Sequence, residues 1–207
     1  MVVLIDMDDV LEDLLTPWCR TLSERHGLNV TREDVTGWEM SKFFPSLSRE
    51  ELFAPLGEVE FWKNVEPTPG AQEALKELEA DGHELYLVTS SHYGTIRTKM
   101  RHVVRRLFPQ FTAENLIVTR RKQMIRGDVL VDDNPDNLIG GAYEKILMDV
   151  PHNRNFDERR HGIVRVADWN EAVATIRGLE FERIDSITSG TTLSPIPSLS
   201  WTDDVFG

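Results

Sequence analysis

Only one cysteine, Cys19, occurs in 207 residues, so no intrachain disulfide can hold the chain together. It follows Pro17 and Trp18 in a helical pattern and reads as a small buried side chain. Apolar runs long enough to span a bilayer are missing too. The opening Met1-Val2-Val3-Leu4-Ile5 is apolar, but it carries no basic leader and stops at Asp6. It reads as a first strand and not a signal peptide, with a cytoplasmic location as the default. Basic residues are outnumbered, 23 against 35 acidic ones, for a net charge of -12. Such a surface repels nucleic acid polymers and anionic membranes, although a small anionic substrate can still bind a locally positive site. There is no internal repeat, and neither the P-loop nor the dinucleotide-binding glycine pattern occurs.

What is present is an alternation of short apolar runs and helical patterns. Residues 2–5, 84–88, 116–118, 129–131 and 145–148 read as buried parallel strands, with 162–166 as a further candidate. Helical patterns cover 11–26, 69–80, 95–107 and 168–176, and Gly82 stands where the second of these should stop. This order predicts an α/β fold with a Rossmann-like parallel sheet. About eighty residues separate the first two strands, far more than one crossover helix needs. Residues 14–66 are therefore expected to form a small inserted helical unit, with the core from 1–13 and 67–178. The insert holds Trp18, Trp38, Phe43, Phe44, Phe53, Phe61 and Trp62. Most should fill a mini-core, and a few could line a pocket for a flat apolar group. Residues 179–207 read as a tail in which Trp201 and Phe206 could dock at an unspecified place.

Ligands of open α/β sheets sit beyond the carboxyl ends of the strands. Asp6 and Asp8 follow the first strand, and Thr89 and Ser90 the second. Lys122 lies a little past the third, and Asp132 and Asp133 follow the fourth. Clustered carboxylates need a cation, and hard oxygen donors select Mg²⁺. Hydroxyls and a lysine can hold phosphate oxygens, one carboxylate can attack phosphorus, and another two residues on can protonate the leaving oxygen. Each piece alone is commonplace; their order behind successive strands carries the signal.

Val-Leu-Ile-Asp-Met-Asp-Asp-Val-Leu, Leu-Val-Thr-Ser, Val-Thr-Arg-Arg-Lys and Val-Leu-Val-Asp-Asp-Asn-Pro-Asp resemble the four ordered motifs of the haloacid dehalogenase superfamily. The nearest resemblance is to its 5'(3')-deoxyribonucleotidases, over residues 1 to 177. Glu66-Pro67-Thr68-Pro69-Gly70-Ala71, His152-Asn153-Arg154 and Trp169 resemble that subgroup as well. The resemblance implies a phosphoric monoester hydrolase acting on a nucleoside monophosphate. Asp6 would be the nucleophile and Asp8 the general acid. Mg²⁺ would be held by Asp6, the Asp8 carbonyl and Asp133, with Asp132 behind them or as an alternative ligand. Thr89, Ser90 and Lys122 would bind phosphate. The insert would be the helical cap, with Trp38 and Trp62 stacking on the base and Leu14 near the sugar. A homodimer is left open.

There are departures. Asp9 stands where the nucleotidases usually have glycine, so its carboxylate either faces solvent or alters the loop. Ser91-His92-Tyr93 and Leu14 also differ from the vertebrate pattern, which bears on substrate rather than chemistry. Arg97, Lys99, Arg101, Arg105 and Arg106 read as a solvated basic helix face, and His92 as a surface or capping residue. A receiver domain uses similar groups, but its phosphoacceptor ends the third strand. Another small phosphomonoester as substrate, or a non-catalytic binding role, are the remaining alternatives.

Overall fold

The computed structural model describes residues 1–188, the side chains of the last three excepted. Its strands are β1 (Val2–Ile5), β2 (Glu12–Asp13), β3 (Glu66–Pro67), β4 (Glu84–Thr89), β5 (Leu116–Val118), β6 (Val129–Asp132), β7 (Glu144–Met148) and β8 (Val164–Val166). Helices are α1 (Leu15–His26), α2 (Arg49–Phe53), α3 (Val59–Lys63), α4 (Ala71–Ala80), α5 (Tyr93–Lys99), α6 (Arg105–Leu107), α7 (Pro135–Leu138) and α8 (Trp169–Thr188). Six strands form one parallel sheet in the order β5-β4-β1-β6-β7-β8. The chain runs outward from β1 through β4 to β5, then crosses back to β6. That reversal opens a crevice at the carboxyl end of β1.

The period-two alternation of a strand distributes the apolar residues over both faces. Val3, Ile5, Leu87, Val129 and Val131 join one buried cluster with Leu75 and Leu78 of α4 and Ala172 and Ile176 of α8. Leu4, Val88, Leu130 and Leu147 point the other way, onto Leu138, Tyr143 and Ile163. Gly82 lies at φ +82, the left-handed conformation that follows α4 and turns the chain into β4.

Three expectations change. The helix expected from residue 11 starts at Leu15, because Glu12 and Asp13 pair antiparallel with Pro67 and Glu66. This β2–β3 ribbon closes the neck through which the chain enters and leaves the insert. The helix expected over 95–107 starts at Tyr93 and passes through a π-turn at Met100–Val104. The helix expected to end near 176 continues to Thr188, so a tail beginning at 179 is corrected. Leu179 packs against the core and Arg177 pairs with Glu77 and Asp81, which gives the extension a surface to follow. Trp201 and Phe206 lie outside the described residues.

Candidate active site

Four loops converge at the carboxyl edge of the sheet. Asp6 leaves β1 with its amide donating to the Val131 carbonyl of β6 at 3.0 Å. The chain then folds back on itself, since the Met7 carbonyl accepts from Leu11 and Glu12 and the Asp9 amide donates to the Glu12 carbonyl. Trp169 of α8 donates its indole N–H to the Val10 carbonyl at 2.9 Å and ties this loop to the core. Asp9 adopts φ +57. The aspartate thus keeps a glycine-like backbone, and its buried carboxylate accepts from the Leu15 amide at 3.1 Å, at the start of α1. The solvent-facing alternative for Asp9 is corrected: the side chain is buried and ties the start of α1 to the loop.

Lys122 is fully buried, with its ammonium 2.6 Å from both Asp6 Oδ1 and Asp132 Oδ2. The other oxygen of Asp132 accepts from the Asn134 amide and the Asn137 side chain. Both oxygens of Asp132 are thus hydrogen-bonded to its neighbours. Asp133 instead has one oxygen 2.7 Å from His152 Nε2, and its carbonyl accepts from Asn153 Nδ2. Thr89 is buried, and its hydroxyl donates to Ser91 Oγ and accepts from the Ser91 amide. Ser90 is exposed on the cleft.

Charge is crowded here. Burial, reinforced by Asp132 and Asp133, raises the Asp6 carboxyl well above the usual aspartate range, although Lys122 opposes the shift. Burial, with Asp132 next, does the same to Asp133. Asp9 is pushed up to about 7 by burial and then by Asp133. Burial works against the charge of Lys122, but Asp132 and Asp6 outweigh it and hold the lysine above its ordinary value. Burial lowers His152 to about 4, which leaves a neutral ring that can donate Nε2–H to Asp133. Among the described residues, Asp6, Asp132 and Asp133 each offer a carboxylate oxygen, all within 4.8 Å of one another. An all-oxygen acidic set fits a hard divalent cation, which would relieve the repulsion that raises these carboxyls.

The cleft above this edge has a volume of about 190 Å³. Asp6, Asp8, Asp9, Ser90 and Asp133 form its floor, and Leu14, Trp18 and Trp38 come from the insert. Trp38 is 51% exposed and meets His152 edge-on, with ring centroids 4.2 Å apart. Trp62 is corrected. It is 1% exposed, lies outside the cleft lining, and donates to the Leu56 carbonyl. Its ring stacks under the Lys99 ammonium at 4.9 Å.

Lys99 is the main residue that sequence reasoning missed. Its expected place on a solvated basic face is corrected: it is 2% exposed and its ammonium bonds Asp8 Oδ1. A signal was available, since Ile96, Lys99, Val103 and Leu107 recur at the spacing of one helix face, and the other three are apolar. His152 also went unassigned, and nothing in its local pattern points to Asp133. His92 caps α5, accepting from the Gly94 amide.

The sequence and the fold both have counterparts among known proteins. The family described as 5' nucleotidase, deoxy (pyrimidine), cytosolic type C protein matches residues 1–180. The chain is 31% identical over 176 residues to the 5'(3')-deoxyribonucleotidase of Clostridium acetobutylicum, covering 85% of this chain and 94% of that one. It is 31% identical over 195 residues to the cytosolic-type 5'(3')-deoxyribonucleotidase of Homo sapiens, with 85% and 94% covered. Among solved structures, a HAD family hydrolase from Deinococcus radiodurans with bound phosphate and sodium superposes with a TM-score of 0.57 at 19% identity. That match covers 86% of this chain and 96% of the other, and shows the shared fold.

Proposed function

We propose that this chain, which belongs to the cytosolic type C 5'-nucleotidase family, is a Mg²⁺-dependent hydrolase of deoxynucleoside monophosphates that works through an aspartyl-phosphate. The chain is a phosphoric monoester hydrolase with a haloacid dehalogenase-like fold. The single observation that carries the finer reading is the convergence of Asp6, Asp133 and Lys122 beneath a cleft roofed by Trp38.

Asp6 attacks phosphorus and takes the phosphoryl group. Lys122, already bound to Asp6 and Asp132, neutralises charge on the transferred oxygens, and the Thr89 and Ser90 hydroxyls hydrogen-bond them. Asp8 gives its proton to the leaving ester oxygen and later takes one from the water that cleaves the aspartyl-phosphate. Mg²⁺ held by Asp6, Asp133 and the Asp8 carbonyl would screen the carboxylates from the phosphate and polarise the phosphoryl group. Asp132 holds Lys122 in place. Trp38 offers the base a face and Leu14 lies near the sugar. The human relative is named a cytosolic type, and a cytoplasmic location is proposed on that basis.

A screen of deoxynucleoside and ribonucleoside monophosphates against sugar phosphates, with and without Mg²⁺, tests this. The expected result is Mg²⁺-dependent phosphate release with nucleotides ahead. Sugar phosphates ahead of every nucleotide would sink the nucleotidase reading and leave the phosphatase one standing.

A further inference from the structure

We propose that Lys99 is the positioning residue for Asp8, an inference that rests on reading Asp8 as the proton donor to the leaving oxygen. Lys99 hangs from the inner face of α5, just before the π-turn, with 3% of its side chain exposed. Its ammonium bonds Asp8 Oδ1 and donates to Ser91 Oγ at 2.7 Å. Glu12 Oε1 lies 3.8 Å away, and the Trp62 ring 4.9 Å.

Glu12 distinguishes this from an ordinary structural ion pair. Its carboxylate is fully buried, and neither oxygen has a hydrogen-bond partner. A lysine placed only to neutralise Glu12 would bond it directly, because a buried carboxylate without bonds is costly. The ammonium instead directs its bonds at Asp8 and Ser91, and burial, reinforced by Asp8, raises the Glu12 carboxyl well above the usual glutamate range. Asp8 is 31% exposed in its side chain and is the member of this cluster that lines the cleft with Asp6. Its Oδ2 lies 3.4 Å from Ser91 Oγ, so both oxygens have neighbours that fix the carboxyl plane.

The consequence is chemical. As the bond from phosphorus to the ester oxygen breaks, the electron pair stays on that oxygen, which takes the proton of the Asp8 carboxyl. Asp8 is left as a carboxylate against the Lys99 ammonium, which stabilises it where it formed. Without Lys99 the proton arrives from an unfixed donor, and the loss should scale with how badly the leaving group needs it.

The test compares kcat/KM, which reports the first phosphoryl transfer, for a deoxynucleoside 5'-monophosphate and for p-nitrophenyl phosphate. The first leaves as an alkoxide that must be protonated, the second as a stable phenolate. Lys99→Met should cost about 10²-fold on the nucleotide and under about ten-fold on the aryl ester, the range general acids contribute. Lys99→Arg should recover part of the loss, and Asp8→Asn should show the same split. Equal losses on both esters in Lys99→Met, while Asp8→Asn still discriminates, would overturn the positioning role alone. An Asp8→Asn variant that does not discriminate would bring down the proton-donor reading and this inference with it. If Lys99→Met does not fold, combining it with Glu12→Gln removes the stranded acid and permits the same measurement.

Discussion

At the carboxyl edge of the sheet, polar side chains are held from several sides. Lys122 is clamped between Asp6 and Asp132, and Asp132 is itself gripped by Asn134 and Asn137. In the insert, the large aromatic side chains are held mainly by packing, with few polar restraints. Trp18 and Trp62 each donate one indole hydrogen bond to a carbonyl, and Trp38 stands half in solvent against His152. The sheet edge is preorganised for charge that develops at one fixed point, which demands multiple restraints. The insert offers area rather than direction. Its short α2 and α3 could not persist alone and depend on packing against the rest. Under the proposed function, one region has to be correct for any phosphoester, the other only for a particular one.

Substitutions at the edge should affect all substrates alike, and the largest effect is expected at the nucleophile. Asp6→Asn should lower phosphate release by about 10³-fold or more on a nucleotide and on p-nitrophenyl phosphate, with an unchanged far-ultraviolet spectrum. Near-normal turnover on either ester would break the covalent mechanism.

A smaller effect belongs to the metal carboxylates. Asp133→Ala should raise the Mg²⁺ concentration for half-maximal activity by roughly ten-fold or more, since even groups that merely support a ligand cost that much. Asp132→Ala should move that midpoint less, because its oxygens are already committed to Lys122, Asn134 and Asn137. Superimposable Mg²⁺ titrations for wild type and Asp133→Ala would show that the cation is held elsewhere.

The smallest effect on activity, and the one that separates the two regions most sharply, concerns the tryptophans. Stacking a base on an indole contributes about 1–3 kcal/mol. Trp38→Ala should therefore lower kcat/KM for a deoxynucleoside monophosphate by roughly ten-fold and leave p-nitrophenyl phosphate almost unchanged. Trp62→Ala should instead cost about 3–5 kcal/mol of stability, as deletion of a buried aromatic does, visible in a denaturant titration. If Trp38→Ala slowed both esters equally, the contrast between edge and insert would collapse.

Much of the edge was legible because the code there is local. A residue at or just past the end of a buried strand sits at the carboxyl edge of the sheet, so Asp6, Thr89, Asp132 and Asp133 could be placed from strand ends. Lys122 needed only a short extension of the same argument. Lys99 was obscured because it stands among four arginines on one helix, and counting charge hides direction. The spacing Ile96, Lys99, Val103 and Leu107 held that direction. Asp9 was hidden because an extra carboxylate in a loop suggests a solvent-facing group, whereas at φ +57 the side chain is buried against the start of α1.

By itself the sequence determined the alternating α/β order, the parallel sheet, the insertion after β1 and the acidic, hydroxyl and cationic groups at the strand ends. It could do so because strand period and strand termini are properties of adjacent residues. Only the tertiary structure decided which tryptophan faces the cleft, that His152 reaches Asp133, and that Lys99 and Glu12 stand behind Asp8. Those pairings join residues distant along the chain, 91 positions apart for Asp8 and Lys99, and depend on how separate elements pack. No local pattern encodes that packing.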